Sequence, residues 1–394
     1  MLPLGVRDPG FLELLHRIDQ SPILPARHLE IFTDGDLALA AMIEAIERAK
    51  TEILLQSYIF KGDATGHAVV EALGRAVERG VEVRVLADAL GSVQTREEFW
   101  QRLENKRIAF RLYHPLRNPL LILFRDHRKI LVVDRTVAFT GGMNIAEEYG
   151  SGLHAHSSLR ARRGLWRDTH LSVEGPAAWE LAVVFRESWL RADGPSFELP
   201  SLPEPEPEIG AAKSRCLVID SRAGRGHRET ALVLRALVAA ARERIWITNA
   251  YFAPSWAALG TICRAADRGV DVRLLLPAKS DVLKLRDAAR GSYSHLLRHG
   301  VRIFEYQPVV LHAKTLVVDG YVSIVGSSNL DFRSFAFNSE CNLAVFGEPV
   351  AARLAGAFEE DLNHAHEIFH REWQKRPLAQ RLRERLARWL SPLL

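Results

Sequence analysis

An internal duplication constrains the fold of this chain more than any other feature. Three segments of the first half return in the second half, in the same order and at nearly constant separations. Two copies of one unit predict two domains of the same fold rather than one larger domain. The recurring segments are HRKILVVD (127–134) and HAKTLVVD (312–319), ERGVEVRVL (78–86) and DRGVDVRLL (267–275), and TEILLQSYIF (51–60) and ERIWITNAYF (243–252).

Each copy alternates amphipathic helices with short apolar strands. In the first copy, Asp36 is expected to cap a helix over 37–50, and a second helix is expected over 66–79. Strands are predicted at 53–57 and 81–87, where apolar residues dominate. This alternation predicts an α/β sandwich with a mixed sheet in each half. Two similar domains commonly pair about a pseudo-twofold axis, which brings equivalent residues to one shared cleft.

A segment rich in proline and glutamate separates the two copies. It reads GPSFELPSLPEPEPEIG over 194–210, a composition unsuited to the interior of a helix or a sheet. We therefore predict an N-terminal domain over 1–193, an extended linker over 194–210 and a C-terminal domain over 211–394.

The composition is that of a globular protein with a slight excess of positive charge. Of 394 residues, 25% are charged, and the net charge of +4 permits an anionic partner without requiring one. Cys216, Cys263 and Cys341 lie far apart without a CxxC pattern, which argues against a disulfide framework or a zinc knot and fits a reducing compartment. No apolar stretch has the length of a membrane-spanning helix, and the N-terminal residues do not resemble a signal peptide.

The repeated motif places a histidine and a lysine two residues apart on an apolar strand. Successive side chains of a strand point to opposite faces. His127 and Lys129 should therefore project from one face of their strand, and His312 and Lys314 should do the same in the second copy. Because the motif is duplicated, the four side chains are candidates for a single site at the interface of the two halves.

An aspartate, Asp134 or Asp319, follows each histidine by seven positions. An odd offset turns a side chain to the other face of the strand. We therefore expect both aspartates to be buried anchors of the motif rather than direct contacts of a substrate.

A glycine turn and an asparagine come at the same distance after each histidine, in GGMN (141–144) and GSSN (326–329). Small residues allow close approach of the backbone, and an amide donor beside a lysine suits an anion with several oxygens. The candidate phosphate-binding residues are therefore Gly142, Asn144, Ser327 and Asn329.

Two histidines, two lysines and two asparagines in one cleft would make a phosphate site that needs no metal. Lysines and amides can stabilise the charge that magnesium stabilises elsewhere. A neutral imidazole can attack phosphorus while the opposite imidazolium protonates the leaving oxygen. Water or an alcohol would then resolve the phosphohistidine. We expect no cofactor and no metal.

The two motifs resemble the paired HxKxxxxD motifs of the phospholipase D superfamily, and within it those of the bacterial cardiolipin synthases. The resemblance extends over nearly the whole chain and includes 138–149, 166–177 and 326–343. It implies two phospholipase D-type α/β domains and a two-step reaction. A phosphatidyl group would pass from phosphatidylglycerol to a histidine and then to the hydroxyl of a second phosphatidylglycerol, with release of glycerol.

The resemblance also implies roles for individual residues. The sequence does not determine which histidine attacks, but analogy with relatives favours His127 as the nucleophile and His312 as the acid. One acidic residue per half would orient an imidazole, and Asp168 and Glu340 match by position, since each opens an alternating apolar strand. The implied catalytic residues are His127, Lys129, Asp134, His312, Lys314 and Asp319.

Cardiolipin synthases often begin with two membrane-spanning helices, which this sequence lacks. We therefore expect a peripheral enzyme on the inner face of the bacterial cell membrane, in the cytoplasm, that acts on anionic phospholipid and has no obligate protein partner. Two alternatives are a phospholipase D that uses water as acceptor and a nuclease of the same superfamily. Nucleic-acid binders usually carry a broader basic stripe with interleaved aromatic residues, so we expect no nucleic acid.

Two further segments have alternative interpretations. HEIFH (366–370) matches the HExxH signature of zinc proteases, but no third ligand follows at a familiar spacing, and the surroundings predict a charged surface helix without a metal. The loop over 150–166 carries Arg160, Arg162 and Arg163, which either bind lipid phosphates or are merely solvated.

The C-terminal segment predicts a basic amphipathic helix. Such a helix either lies in an anionic membrane interface or docks on its own domain. Its apolar stripe contains Leu378, Leu382, Leu386, Trp389, Leu390 and Leu393, and the flanking basic residues are Arg381, Arg383, Arg385 and Arg388.

Overall fold

The computed structural model describes residues 4–116, 121–150, 165–201, 214–223 and 228–393. The first half of the described chain alternates helices and strands. Its elements are α1 (Pro9–Asp19), β1 (Ile23–Phe32), α2 (Gly35–Arg48), β2 (Glu52–Ser57), α3 (Ala64–Glu78), β3 (Glu82–Asp88), α4 (Glu97–Asn105), β4 (Ala109–Tyr113), β5 (Arg125–Asp126), β6 (Ile130–Val133), β7 (Val137–Gly141), β8 (His170–Glu174) and α5 (Pro176–Arg191).

The second half repeats this order and then extends it. Its elements are β9 (Ser214–Ser221), α6 (Arg228–Ala240), β10 (Arg244–Asn249), α7 (Trp256–Asp267), β11 (Asp271–Pro277), α8 (Leu283–Arg298), β12 (Arg302–Tyr306), β13 (Lys314–Val318), β14 (Val322–Gly326), α9 (Phe332–Ala336), β15 (Asn338–Phe346), α10 (Glu348–Leu362), β16 (Ala365–Ile368), α11 (His370–Trp373) and α12 (Leu378–Leu390).

The strands of both halves form one continuous mixed sheet. From the middle outwards, the first half runs β1-β8-β7-β6-β2-β3-β4, and the second runs β9-β15-β14-β13-β10-β11-β12-β16. The two series correspond strand by strand, which confirms two similar α/β units with pseudo-twofold symmetry. The units join edge to edge, because β1 pairs antiparallel with β9. The separate sheet expected in each half is therefore one half of a shared sheet.

Helices cover both faces of this sheet and create three apolar layers. A central layer lies under α5 and α10 and contains strand residues of both halves. The two outer layers lie under α2, α3 and α4 in the first half, and under α1, α6, α7 and α8 in the second. Strand alternation explains the division: Leu54 faces the central layer, whereas Ile53 and Leu55 face the outer one. Strands buried on both faces read as uninterrupted apolar runs.

The start of α2 corrects one prediction. The helix begins at Gly35, and its cap is Asp34, whose carboxylate accepts hydrogen bonds from the backbone nitrogens of Asp36 (2.9 Å) and Leu37 (3.4 Å). Asp36, the predicted cap, lies in the first helical turn instead. Two aspartates two residues apart give nearly the same capping signal in the sequence, and the one with extended backbone takes the role.

The boundary between the predicted domains is crossed by the N-terminal helix. Phe11 and Leu15 of α1 are buried in the outer layer of the second half, where α1 packs against α6. The described part of the linker, 194–201, lies along α5 and contains neither helix nor strand. Trp189 and Trp179 hold it there by donating indole hydrogen bonds to the carbonyls of Pro195 and Pro200, each at 2.9 Å. The rest of the linker lies outside the described residues.

The HEIFH segment is not a helix, which corrects the expected surface helix. Residues 365–368 form β16 at the edge of the sheet, where Ile368 pairs with Ile303 of β12. His370 begins the short helix α11, so the two histidines do not share a helical face. Glu367 pairs instead with Arg302, with nitrogen–oxygen distances of 2.8 and 2.9 Å. Available backbone groups on an exposed strand edge explain why this segment pairs as a strand.

Candidate active site

The motif histidines meet at the seam between the two halves. Each histidine precedes a central strand, β6 or β13, and is held by a backbone hydrogen bond to the opposite half. The backbone nitrogen of His127 donates to the carbonyl of Ser339 (2.8 Å), and that of His312 donates to the carbonyl of Arg167 (2.7 Å). The residue that follows each of these carbonyls is the acid that matches the family pattern.

Each imidazole is oriented by an acid from the other half. His127 Nδ1 donates to Glu340 Oε2 at 3.0 Å, and His312 Nδ1 donates to Asp168 Oδ2 at 2.7 Å. Both carboxylates are fully buried. A carboxylate on Nδ1 fixes the tautomer and leaves Nε2 as the reactive atom. The two halves therefore exchange acids, and neither half contains a complete site.

The charges of the buried groups are mutually dependent. Burial would raise the pKa of Asp168, but Lys314 and His312 outweigh it and hold that pKa below its ordinary value. Burial would likewise raise the pKa of Glu340, but His127 and Lys129 hold it below its ordinary value. Both acids are therefore ionised and available to stabilise an imidazolium.

Burial shifts both histidines towards the neutral form. It lowers the pKa of His127, an effect that Glu340 opposes and that Lys129 and Lys314 reinforce. It lowers the pKa of His312 to about 4, and Lys314 adds to this shift. A neutral imidazole is the form that can attack phosphorus.

The lysines lie against the histidines of their own motifs. Lys129 Nζ donates to the backbone carbonyl of His127 at 2.6 Å, and Lys314 Nζ lies 3.1 Å from His312 Nε2. Burial lowers the pKa of Lys129 to about 7 and that of Lys314 to about 8. The site itself therefore solvates the charged form of both amines poorly, and a bound phosphate would stabilise that form.

Aromatic side chains surround the two histidines unequally. Tyr58 packs edge-on against His127 with ring centroids 4.8 Å apart. His312 contacts three rings, those of Tyr149, Trp166 and Tyr251, with centroids 5.5, 5.2 and 5.9 Å away. These rings were not singled out from the sequence, since isolated aromatic residues in a motif flank are usually core residues.

The motif aspartates lie away from the histidines, at the far ends of the strands. Asp134 accepts hydrogen bonds from the backbone nitrogens of Lys50, Thr51 and Glu52, at 2.7 to 3.0 Å. Asp319 accepts the equivalent bonds in the second half, at 2.8 to 3.0 Å. Both also take the left-handed conformation, with φ of 50°, at the start of a hairpin turn. This geometry fits the anchoring role expected from strand alternation, although Asp134 is only half-buried.

Two of the predicted phosphate-binding residues support the acids instead. The backbone nitrogen of Gly142 already donates to the carbonyl of Thr169, and a Cβ at Gly142 would lie 2.1 Å from Asp168 Oδ1. The hydroxyl of Ser327 donates to Glu340, and its backbone nitrogen donates to the carbonyl of Cys341. Their small size thus admits a carboxylate, and a contact of either residue with phosphate stays a prediction.

The two asparagines fix the turns that follow β2 and β10. Asn144 Oδ1 accepts from the backbone nitrogen of Ile59 (3.0 Å), and Asn329 Oδ1 accepts from that of Tyr251 (3.3 Å). Asn144 Nδ2 also donates to the hydroxyl of Tyr149 at 2.8 Å. An amide group carries two N–H donors, so within the part of the chain that the structure describes the second donor of Asn144 could serve a phosphate oxygen.

Buried ion pairs lock the two halves together around the site. Arg128, between the motif histidine and lysine, lies 2.6 Å from a carboxylate oxygen of Asp220 in the second half. Arg167 makes a bidentate pair with Asp361, at 3.0 and 2.7 Å. A sequence pattern cannot reveal such pairs, because their partners are far apart along the chain. The arginines predicted for lipid binding, Arg160, Arg162 and Arg163, lie outside the described residues.

One group of side chains among the described residues could hold a metal ion. Cys263, His295 and His299 bring their ligand atoms within 4.8 Å of one another. Cys263 lies on α7, His295 lies on α8 and His299 directly follows α8, whereas the motif histidines precede strands of the sheet. The motif histidines do not belong to this group.

Among the helices of the described residues, none combines the length and the apolar character that crossing a membrane requires.

Comparison with known proteins gives the family. The family profile described as "Cardiolipin synthase, PLD-like domain" matches residues 42–150 and 234–362, one match in each half. A cardiolipin synthase of Geobacillus sp. (strain WCH70) is 34% identical over 397 residues, covering 100% of this chain and 78% of that protein. Cardiolipin synthase 1 of Bacillus anthracis is 32% identical over 402 residues, with the same coverage of 100% and 78%.

Solved structures share the fold at low sequence identity. The crystal structure of phosphatidylserine synthase from Haemophilus influenzae Rd KW20 aligns with a TM-score of 0.72 at 14% identity, over 98% of this chain and 100% of that chain. Polyphosphate kinase from Porphyromonas gingivalis aligns with a TM-score of 0.58 at 15% identity, over 100% of this chain and 57% of that chain. With two matched domains, two HxKxxxxD motifs in one cleft and full-length relatives, this chain belongs to the phospholipase D superfamily, in the family of the bacterial cardiolipin synthases.

Proposed function

We propose that this chain is a phosphatidyltransferase that makes cardiolipin from two molecules of phosphatidylglycerol through a phosphohistidine intermediate, without a metal ion. The exchange of acids across the seam carries the proposal. It gives each of two neutral imidazoles in one buried site a carboxylate that orients its ring. A reaction through a phosphohistidine needs one group that attacks phosphorus and a second group that donates and accepts protons.

In the first step, Nε2 of His127 attacks the phosphorus of phosphatidylglycerol. The bond between phosphorus and the glycerol oxygen breaks, and His312 supplies the proton that leaves with glycerol. Since the pKa of His312 is about 4 in the lipid-free protein, this proton must be gained when the anionic phosphodiester binds and stabilises the imidazolium. Lys129 and Lys314 stabilise the charge on the phosphoryl oxygens.

In the second step, the hydroxyl of another phosphatidylglycerol attacks the phosphohistidine. His312, now neutral, accepts the proton of that hydroxyl, and His127 leaves as a neutral imidazole. Water in place of the alcohol would give phosphatidic acid. The aromatic rings around His312 support the alcohol as acceptor, since Tyr149, Trp166 and Tyr251 surround this histidine with ring surfaces that leave less room for water.

The product distribution tests this function. Purified protein is incubated with phosphatidylglycerol vesicles, and lipids and glycerol are followed by mass spectrometry, with single-stranded DNA in a parallel reaction. We expect cardiolipin and glycerol in equal amounts. Phosphatidic acid alone would assign a phospholipase D, and cut DNA with unchanged lipid would assign a nuclease. A chelator should leave turnover unchanged, as should Cys263→Ala, which removes a ligand from the group on α7 and α8.

We infer that the protein contacts the membrane through the outer face of α12. Leu378, Leu382, Leu386 and Trp389 form one stripe and are 54 to 78% exposed. The opposite, polar face packs on α8 and buries Glu384 and Arg388. This orientation is the reverse of that of an ordinary surface helix, whose apolar stripe faces the core. The helix thus docks on its own domain, as one of the two sequence interpretations expected, and its exposed apolar stripe supports the proposal that it also contacts lipid.

Charge favours an anionic membrane as the occupant of this face. By helical periodicity, Arg383 and Arg385 lie on either side of the stripe, where long side chains can reach lipid phosphates. Flotation with vesicles of phosphatidylglycerol and phosphatidylcholine tests the contact. Leu382→Glu with Trp389→Glu should abolish flotation, whereas the control Leu37→Glu, at an exposed leucine of α2, should not. A dimer in solution that the same variant disrupts, without vesicle binding by the wild type, would assign this face to a second copy.

A further inference from the structure

The outer layer of the second half contains a large cavity. It lies between the sheet and helices α6, α7, α8, α9 and α12, and its volume is about 1360 Å³. Pockets for compact small ligands usually have roughly 300–1,000 Å³. The cavity therefore exceeds the size that a phosphate and a glycerol head group need.

Polar residues form one part of the cavity wall, and one of them belongs to the second motif. Lys314 forms part of its wall, together with Asn249 and Asp331. The amine of Lys314 lies 3.1 Å from His312 Nε2, the atom assigned to proton transfer. A ligand in the cavity can therefore present a phosphate to this lysine without leaving the cavity.

Much of the remaining cavity wall is apolar. Aliphatic side chains project into it from the sheet on one side and from α6 and α7 on the other. An apolar cavity of this size gives water few partners and favours an apolar ligand. The aliphatic residues that line it are Ile219, Ile247, Leu316 and Ile324 on the strands, Leu234 and Val238 on α6, and Ile262 on α7.

The outer end opens beside α12. Trp256 and Trp389, both on the cavity rim, are 64% and 76% exposed, and Arg381 and Arg385 lie beside them. Exposed tryptophans and arginines together are typical of the boundary between lipid and water. The rim thus adjoins the apolar stripe proposed above as the membrane contact.

Glycine sets the position of α12 over this rim. A Cβ at Gly291 of α8 would lie 2.6 Å from the carbonyl oxygen of Glu384 and 2.7 Å from Cβ of Arg388. Arg388 in turn donates to the carbonyl of Pro254 and lies over the ring of Trp256, 5.0 Å from its centroid. Helix α12 is therefore held in close contact with α8 and with the start of α7, two of the helices that border the cavity.

We infer that this cavity binds an acyl chain of the glycerophospholipid substrate. The phosphodiester lies at Lys314, and the chain runs along the sheet to the rim at α12, so that its end stays continuous with the membrane. The inference rests on the proposed function for the class of substrate. It adds that the second half recognises the lipid by its chain, and that short-chain or chain-free diesters are poor substrates because they leave the cavity unfilled.

Filling the cavity tests this inference. Ala231 on α6 and Ala258 on α7 line the cavity, and each is replaced by tryptophan. Leu232→Trp is the control, since Leu232 neighbours Ala231 on the same helix but is 41% exposed. We expect the ratio of kcat/KM for long-chain to short-chain phosphatidylglycerol to fall by roughly tenfold or more in the cavity variants, because chain contacts are lost. The control and the short-chain rate should stay unchanged. Equal loss on both substrates, or no change in the ratio, would overturn the inference.

A second measurement does not depend on turnover. Phosphatidylglycerol with a photoreactive diazirine at the end of one acyl chain is irradiated with the protein, and labelled peptides are sequenced. Label on α6 and α7 supports the cavity, even if no cardiolipin forms and the proposed reaction fails. Label only on the outer face of α12 would overturn the inference and leave the membrane contact intact.

Discussion

The two halves of the molecule derive from one repeated unit, yet their outer layers differ. In the first half, Phe99 and Trp100 of α4 fill the layer, and Phe60 packs against both rings at centroid distances of 5.3 and 6.2 Å. A space beside Asn144 and Tyr149 has a volume of only about 20 Å³. In the second half, α8 occupies the place of α4, and its glycine, serine and histidine leave a cavity of about 1360 Å³.

The residues proposed for catalysis show the opposite pattern, because they are nearly symmetric. Each half provides one histidine, one lysine and one acid, and each acid serves the histidine of the other half. In the proposed reaction, the chemistry requires both copies of the motif, whereas the proposed recognition of an acyl chain requires the cavity of the second half alone. One half would then hold the substrate while both halves perform the reaction.

The largest expected effect comes from removing either histidine. His127→Ala and His312→Ala should each lower cardiolipin formation by about 10⁴-fold or more, because each removes a group that acts on the reacting phosphorus or its leaving oxygen. His364→Ala, at an exposed position on the second half, should retain full activity. If one motif variant kept near-normal turnover, the symmetric centre would be wrong.

Neutralising the acids tests their exchange between the halves. Asp168→Asn and Glu340→Gln keep size but lose the charge that stabilises an imidazolium, so kcat should fall by about 10²- to 10⁴-fold. In addition, histidine NMR should show that Asp168→Asn perturbs His312 and leaves His127 unchanged, while Glu340→Gln does the reverse. A perturbation of the histidine in the same half would contradict the exchange.

A methyl group at Gly142 should have a smaller effect through the same acid. The Cβ of Gly142→Ala would lie 2.1 Å from Asp168 Oδ1, so the carboxylate must move away from His312. A displacement of about 1 Å in a catalytic group costs on the order of 10²-fold in rate. Gly356→Ala is the control, because a Cβ there meets no atom within 4 Å. If the Gly142 variant kept an unchanged kcat, with its fold verified by circular dichroism, Gly142 would have no role in positioning Asp168.

The smallest effect is expected from pH. Burial lowers the pKa of Lys129 to about 7 and that of Lys314 to about 8, so both lose their protons as pH rises through this range. Since only the charged amines stabilise the phosphoryl oxygens, kcat/KM on a soluble chromogenic diester should decline several-fold from the neutral to the alkaline side. On the acid side, the lowered pKa of His127 keeps it neutral below the ordinary histidine value of about 6.5. A profile that stays flat well above pH 8 would contradict the role of the lysines.

Much of the fold follows from the sequence because the duplication supplies two independent instances of each pattern. The strands at 53–57 and 81–87 and the helix at 66–79 are confirmed within one or two residues. The prediction of a helix at HEIFH was wrong because a four-residue strand at a sheet edge and a helical turn give the same short sequence pattern. Its pairing with β12 depends on an edge that only the folded sheet creates.

The site was harder to predict where a role depends on tertiary contacts. Strand alternation was sufficient to expect that Asp134 turns away from the histidines, since parity is a local property. A small residue such as Gly142 indicates that another group lies close to its backbone. The sequence alone does not show whether that group is a phosphate or a carboxylate. The stripe on α12 was visible as amphipathicity, but which face docks depends on Gly291, which lies nearly a hundred residues earlier.

Trapping the covalent intermediate tests the central claim most directly. A phosphatidyl ester of p-nitrophenol carries a leaving group that needs no proton, so His312→Ala should still release nitrophenol in a single turnover and then stop. Peptide mass spectrometry should find the phosphatidyl group on His127, and His127→Ala should release no nitrophenol. An adduct on another residue, or continued turnover without any adduct, would contradict a site in which His127 of one half attacks and His312 of the other transfers the proton.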